Sequence, residues 1–369
     1  MLKLLVAGFG LLVGVAIVEV GVRVYELFDP EQARRLSELE SPARGFPFES
    51  YASHPFLPHI GAPGHTARTF AVTPTGMVEL EAVYNSFGFR SHELPTEKRD
   101  GDYLVIALGG STTWGAATES NETTWPELLE GKLAARYPDK NVRVLNFGIS
   151  AATSAYSIVT LSLIGVHVKP DLVIVYHGRN DPIPAGAPDY RPDHAHFFKD
   201  FEPRTAWRGY RRSLPSWMLR SHAIVAATSR LDDRDNVNGL YFHVTHPHVH
   251  YRNVVVPDAA EKLTANLLTI HSIAAGHGAD VLFSTFQLYD PSVIPWPLNA
   301  ALREFFAEHD LAYVDQDALI PDFDRSINYD DCHFTRAGRE LVAQNFFDAI
   351  VERGYVDGAQ PRTGSEKTE

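Results

Sequence analysis

Residues 103–108 read Tyr103-Leu104-Val105-Ile106-Ala107-Leu108, and they run directly into Gly109-Gly110-Ser111-Thr112-Thr113. An unbroken apolar run of this length, closed by glycines and hydroxyl residues, is a strand covered on both faces. The same pattern recurs at Val142–Phe147, Leu172–Tyr176 and Asp280–Phe286, and in shorter form at Ala312–Val314. Between these runs lie stretches with helical spacing: Trp125–Tyr137, Ser154–Val166, Pro257–Gly276 and Leu298–His309. Thr335–Arg353 closes the series. Strands alternating with helices predict a three-layer α/β domain built on a parallel sheet.

The composition is consistent with such a domain. At about 150 residues per domain, 369 residues suit two domains or one large one. Hydrophobic residues make up 44% and charged residues 21%, which argues against wholesale disorder. Lys plus Arg is 33 against 46 for Asp plus Glu, a net charge of -13. That acidic balance lacks the basic footprint that neutralises phosphates, so no nucleic-acid partner is expected. The single cysteine, Cys332, permits neither an intramolecular disulfide nor a zinc site built on cysteines. Nothing in the composition sets the oligomeric state.

Three segments flank the predicted domain, taken as 101–355, and a fourth interrupts it. Leu4 to Val18 carries no charge and would rise roughly 22 Å as a helix against a hydrocarbon core of roughly 30 Å. Extending the run to Leu2–Val22 reaches the span, and no small-residue cleavage site follows it. Residues 1–28 are therefore read as an uncleaved single-pass membrane anchor, with an amphipathic or core helix as the alternative. Lys3 lies on one side, and Arg23, Arg34 and Arg35 on the other, the latter among acidic residues. Large domains cross with little regard for such flanks, so the body is expected to be extracytoplasmic. Residues 29–100, with Pro47, Pro55, Pro58, Pro63 and Pro74, read as a juxtamembrane extension too interrupted for long elements. Pro182 to Pro257 breaks the alternation and reads as an insertion over one end of the sheet. Residues 356–369 are polar and read as a disordered tail.

Ligands of an open parallel sheet bind beyond the carboxyl ends of its strands. Four segments would meet there: Gly109–Thr113, Asn146-Phe147-Gly148-Ile149-Ser150, Tyr176-His177-Gly178-Arg179-Asn180-Asp181, and Asp330-Asp331-Cys332-His333. Together they suit acyl transfer. A serine hydroxyl must lose its proton to a base as it attacks, and His333 is the candidate base for Ser111. Asp330 would hold the second ring nitrogen and fix the tautomer. The main-chain N–H groups of Ser111 and Gly148 and the amide of Asn180 are candidate donors to the oxyanion.

The quartet Ser111, Gly148, Asn180 and His333 resembles the SGNH (GDSL-type) hydrolase family. Gly178-Arg179-Asn180-Asp181 and Asp330-Asp331-Cys332-His333 are similar to its third and last motifs, whereas its usual Gly-Asp-Ser is here Gly109-Gly110-Ser111. The resemblance covers about residues 101–355. It implies a flavodoxin-like three-layer fold and a serine esterase acting without metal or cofactor on an acylated small molecule, glycan or lipid. Asn85-Ser86-Phe87-Gly88-Phe89-Arg90 is similar to a segment of membrane-anchored members. An O-acyltransferase working through the same acyl-enzyme, or a surface protein with a silent site, are the competing functions.

Each residue also has a plainer role open to it. Ser111 could be a turn or helix-cap serine, and the glycines before it a phosphate cradle, although no Gly-Lys-Ser/Thr follows. Asn180 could be a turn former and Asp181 a structural hydrogen-bond acceptor. Asp331 is nearer His333 in sequence, but the motif spacing selects Asp330, and Cys332 reads as a packed side chain. His243, His246, His248 and His250 alternate as ligands on one strand face would. No cysteine or carboxylate is interleaved, so they read as a solvated cover. Arg179, Trp114, Trp207 and Trp217 could touch substrate or simply pack.

Overall fold

The computed structural model describes residues 51–185, 191, 259–287 and 298–358, less 53, 58, 74–75, 321–323, 325 and 331, with 10, 13–14 and 16–24 near the amino terminus. The strands are β1 (Tyr51–Ala52), β2 (Ile60–Gly61), β3 (Thr66–Thr73), β4 (Gly76–Val83), β5 (Asp102–Gly109), β6 (Asn141–Asn146), β7 (Leu172–Tyr176), β8 (Asp280–Ser284) and β9 (Tyr313–Val314). The helices that matter here are α1 (Ser111–Trp114), α2 (Trp125–Arg136), α3 (Ser154–Leu163), α4 (Ala259–Gly276), α5 (Leu298–Glu308), α6 (Gln316–Leu319) and α7 (Arg336–Glu352).

Strands β5 to β9 form one parallel sheet in the order β6-β5-β7-β8-β9. Numbered by their order along the chain, this is 2-1-3-4-5, the flavodoxin-like arrangement whose switch point lies between the first and third strands. All five residues of β7 are buried, as are all but the first of β5, so the apolar runs sit between two layers. Alternation then sorts the side chains. Ile106, Leu108, Val173, Val175, Val281 and Phe283 face α3, α4 and α5 through Tyr156, Leu161, Leu267, Ile270, Leu302 and Phe306. Val105, Ala107, Val144, Leu172, Ile174 and Leu282 face α2 and α7 through Trp125, Leu129, Val342 and Phe346. At about 1.5–3 kcal/mol for each large apolar side chain buried, these two layers supply the main driving force for the fold. Every strand and long helix expected in the α/β domain is present, with ends displaced by no more than three residues.

The extension departs from expectation. Residues 66–83 form a hairpin of two eight-residue strands, paired from Thr66↔Val83 to Thr73↔Gly76. Each strand runs unbroken for eight residues, so the prolines of this stretch do not preclude long elements; Leu80 and Ala82 are buried with Glu81 between them. The extension also reaches into the domain core: Leu57, Ile60 and Phe89 are buried there, and Phe89 stacks on Phe147 at 4.1 Å. At the other end Tyr355 and Val356 are buried beside α2 and α7. Near the amino terminus, residues 10, 13–14 and 16–24 are helical, with Arg23 Nε donating to Glu19 Oε1 at 2.8 Å. Among the described residues no helix is long and apolar enough to cross a membrane, so the expected N-terminal membrane helix is not found there. The remainder of 1–50, nearly all of the insertion with its histidines, Trp207 and Trp217, and residues 359–369 lie outside the described residues.

Candidate active site

Strand β5 ends at Gly109, and after Gly110 the single turn of α1 begins at Ser111. The candidate nucleophile therefore stands at the carboxyl edge of the central strand. His333 arrives there on a loop that doubles back on itself. Tyr329 N–H donates to His333 O at 2.8 Å, Asn328 and Phe334 form an antiparallel bridge, and Thr335 then caps α7. Thr112 Oγ1 donates to Cys332 O at 3.0 Å, which ties the histidine loop to the nucleophile helix.

Ser111 Oγ lies 2.8 Å from His333 Nε2, and His333 Nδ1 lies 2.7 Å from Asp330 Oδ2. A neutral imidazole protonated on Nδ1 donates to Asp330 and leaves Nε2 to accept the serine proton. Asp330 Oδ1 takes the main-chain N–H groups of His333 at 2.8 Å and Cys332 at 3.0 Å, which fixes the carboxylate before it meets the ring. Burial raises the Asp330 pKa, but the imidazole and these donors outweigh it and hold the carboxyl below its usual range. Burial likewise pulls His333 down. The Asp330 carboxylate and the Cys332 sulfur outweigh it, and the imidazole is held well above its ordinary value. The three side chains have the geometry of a nucleophile, a base and the group that orients the base.

Asn180 and Gly110 are neighbours. Asn180 Nδ2 donates one hydrogen to Ala152 O at 2.9 Å, and among the described residues the other meets no acceptor. A β-carbon on Gly110 would come within 2.6 Å of that nitrogen, so glycine at 110 lets the amide lie against the main chain beside Ser111. Gly148 does not take the expected role. Its N–H donates to Asn146 Oδ1 at 2.9 Å, and a β-carbon there would sit 2.3 Å from Trp114 N. Glycine is required at 148 because α1 packs on that backbone. Three residues further on, Ala151 adopts φ 60°, a left-handed conformation costing an alanine roughly 1–2 kcal/mol. Among the described residues, the N–H groups of Ser111 and Ala151 donate to no protein acceptor.

The plainer readings account for several neighbours. Asp181 Oδ1 accepts from the Ser154 N–H at 2.9 Å and from its hydroxyl, closing the start of α3. Trp114 is 3% exposed, packed on Leu80 and Tyr84 of the extension with the Arg90 guanidinium 5.2 Å from its ring. Cys332 is buried with its sulfur 3.7 Å from His333 Nδ1. Asp331 lies outside the described residues.

Among the described residues, two groups of side chains bring possible metal-ligand atoms together, Asp330 with Cys332 and His333, and His92 with Glu127 and Glu130. In the first, both imidazole nitrogens already bond Ser111 and Asp330. In the second, His92 Nε2 lies 3.1 Å from Glu127 and 3.2 Å from Glu130, and these hydrogen bonds push its pKa up to about 10. A protonated histidine between two carboxylates explains that cluster without an ion.

Residues outside the four motifs also shape the site. The fully buried Arg90 donates to Gly115 O and Thr118 Oγ1, each at 2.6 Å, and to Glu81 O at 2.7 Å, bracing the end of α1. The fully buried His59 reaches Ser150 O at 2.8 Å. A lone arginine or histidine in a proline-rich stretch carries no sequence signal of burial, and an alanine in a left-handed turn carries none either.

A flavodoxin-like sheet with a serine, a histidine and an aspartate linked in series at its switch point defines a serine hydrolase. The GDSL-like Lipase/Acylhydrolase family matches residues 107–341, more than half of the chain, and the protein belongs to that family. It is an ester-hydrolysing enzyme. Among solved structures it is similar to Axe2, an acetylxylan esterase from Geobacillus stearothermophilus, with 16% identity over 67% of this chain and 94% of that one, at a TM-score of 0.41. TesA is similar at 18% identity over 67% of this chain and 97% of that one, also with a TM-score of 0.41. No curated protein matches the sequence.

Proposed function

We propose that the protein is a serine esterase that removes an O-acyl group, from a glycan or a lipid, through an acyl-enzyme on Ser111. The observation that carries this reading is the unbroken series Ser111 Oγ, His333 Nε2, His333 Nδ1, Asp330 Oδ2, with links of 2.8 and 2.7 Å. Ser111 Oγ attacks the acyl carbon while His333 Nε2 takes its proton. The tetrahedral oxyanion is received by the N–H groups of Ser111 and Ala151 and the remaining hydrogen of Asn180 Nδ2, Ala151 taking the part that the sequence had suggested for Gly148. As the intermediate collapses, His333 returns the proton to the departing alcohol oxygen. Water then attacks the acyl-enzyme with His333 again as base, releasing the acid and restoring the serine.

No cofactor enters these steps. Residues 1–28 are proposed to anchor the chain by a single pass, holding the body outside the cytoplasm close to acylated surface polymers or lipids. Replacing Ser111 with alanine is expected to abolish hydrolysis of a small activated ester while leaving the thermal midpoint within a few degrees. Wild-type turnover in S111A would overturn the reading. Product analysis with an added sugar alcohol separates release to water from transfer to a hydroxyl.

A further inference from the structure

Among the contacts between the extension and the α/β domain, one ends on the turn that carries Ala151. Ala152 N–H donates to Ile149 O at 3.0 Å, closing a four-residue turn with Ser150 and Ala151 at its centre. Ala151 has positive φ and Ser150 does not, which is the type II pattern. Type I and type II turns differ by about half a rotation of the central peptide, here the Ser150 carbonyl together with the Ala151 N–H. Glycine is the usual residue at the third position of a type II turn. With alanine there, the local preference is for the rotated form, so something else must hold the peptide as it is.

His59 is placed to do so. Its Nε2 is 2.8 Å from Ser150 O, and a carbonyl has only lone pairs to offer, so that nitrogen carries the proton. Nδ1 is then an acceptor, and Tyr156 O–H donates to it at 3.3 Å. Tyr51 packs edge-on against the ring at 5.5 Å. Burial pushes the imidazole down to about 4, which keeps it neutral and its tautomer constant at ordinary pH. In a trans peptide the carbonyl and the N–H point in opposite directions. With Ser150 O turned inward to His59, the Ala151 N–H faces away from it. On the C-terminal side of Ala151, Ala152 O meets the Asn180 amide beside Gly110.

We propose that His59 is a positioning residue for ester hydrolysis: by holding the Ser150 carbonyl it keeps the Ser150–Ala151 peptide rotated so that the Ala151 N–H is presented to the oxyanion. This rests on the reading of Ser111 as nucleophile. The extension is then part of the catalytic apparatus and not only a spacer.

The test is steady-state kinetics on full-length variants with an activated ester, alongside thermal unfolding. H59F removes the donor and fills the space. Its kcat is expected to fall about 10–100-fold with KM within twofold, because an oxyanion donor acts on the transition state and not on the bound ester. H59Q, whose amide nitrogen reaches about as far as Nε2, is expected to retain most of the turnover. Adding A151G to H59F lets the turn hold its form without the imidazole and is expected to recover at least half of the lost log kcat. A merely structural histidine would lower the unfolding midpoint without that recovery. Should H59F fail to fold, H59N, too short to reach the carbonyl, takes its place against H59Q. With S111A inactive, equal kcat in wild type and H59F, equal kcat in H59N and H59Q, or no recovery from A151G would overturn the role of His59. Activity in S111A would remove the esterase reading beneath it.

Discussion

A general base must be neutral before it can accept a proton, and His333 is held well above its ordinary pKa of 6.5 by the carboxylate of Asp330. The sign follows directly. Below the raised pKa the imidazole is protonated and cannot take the Ser111 proton, so kcat/KM is expected to rise with pH along a limb centred above 6.5. In D330N the larger raising charge is gone, leaving Cys332 alone against the lowering effect of burial. The limb should then move to lower pH, and the plateau should drop by about 10³–10⁴-fold as the tautomer is lost. A pH–rate profile of both proteins checks this, and an unmoved limb in D330N would show that another group sets it.

At the scale of elements, the short helix α1 is held from several directions. Thr112 ties it to the histidine loop, Arg90 braces its carboxyl end through Gly115 O, and Gly148 lies against its backbone. The last contact has no slack. A β-carbon at 148 would meet Trp114 N at 2.3 Å and Thr113 C at 2.7 Å, both main-chain atoms, so α1 would have to move. G148A is expected to cost about 1–3 kcal/mol in a denaturant titration, the usual range for overpacking, and to lower kcat at least tenfold because Ser111 rides on the displaced turn. Normal kcat with normal stability would mean that the helix tolerates displacement.

For the molecule as a whole, the boundary near residue 100 is a boundary of pattern and not of packing. Leu57, Ile60 and Phe89 complete the core layer that contains α3, α4 and α5, and Ser91 Oγ accepts the Asn146 N–H at 3.0 Å. Arg90 places a fully buried guanidinium among carbonyl and hydroxyl oxygens of both parts. A chain starting at residue 101 would leave those apolar surfaces open and strip the Gly115 carbonyl and the Thr118 hydroxyl of their guanidinium donor. It is expected to lose esterase activity and to unfold at least ten degrees lower, or to collect in the insoluble fraction. A soluble truncated protein with full activity would show the α/β part to be self-sufficient.

The layer architecture, the strand and helix positions and the Ser111, Asp330 and His333 set were readable from the amino-acid order, because buried parallel strands are written as continuous apolar runs and the site motifs sit at their ends. The hairpin at 66–83 carried its alternation too, but as a weak signal beneath many prolines. What no local pattern could say is which main-chain groups remain free at the strand ends. That depended on Asn146 taking the Gly148 N–H, on Ala151 being held left-handed, and on His59 and Arg90 arriving from far along the chain. Hydrogen bonds between distant segments are decided by three-dimensional packing, and a residue's neighbours in sequence do not record them.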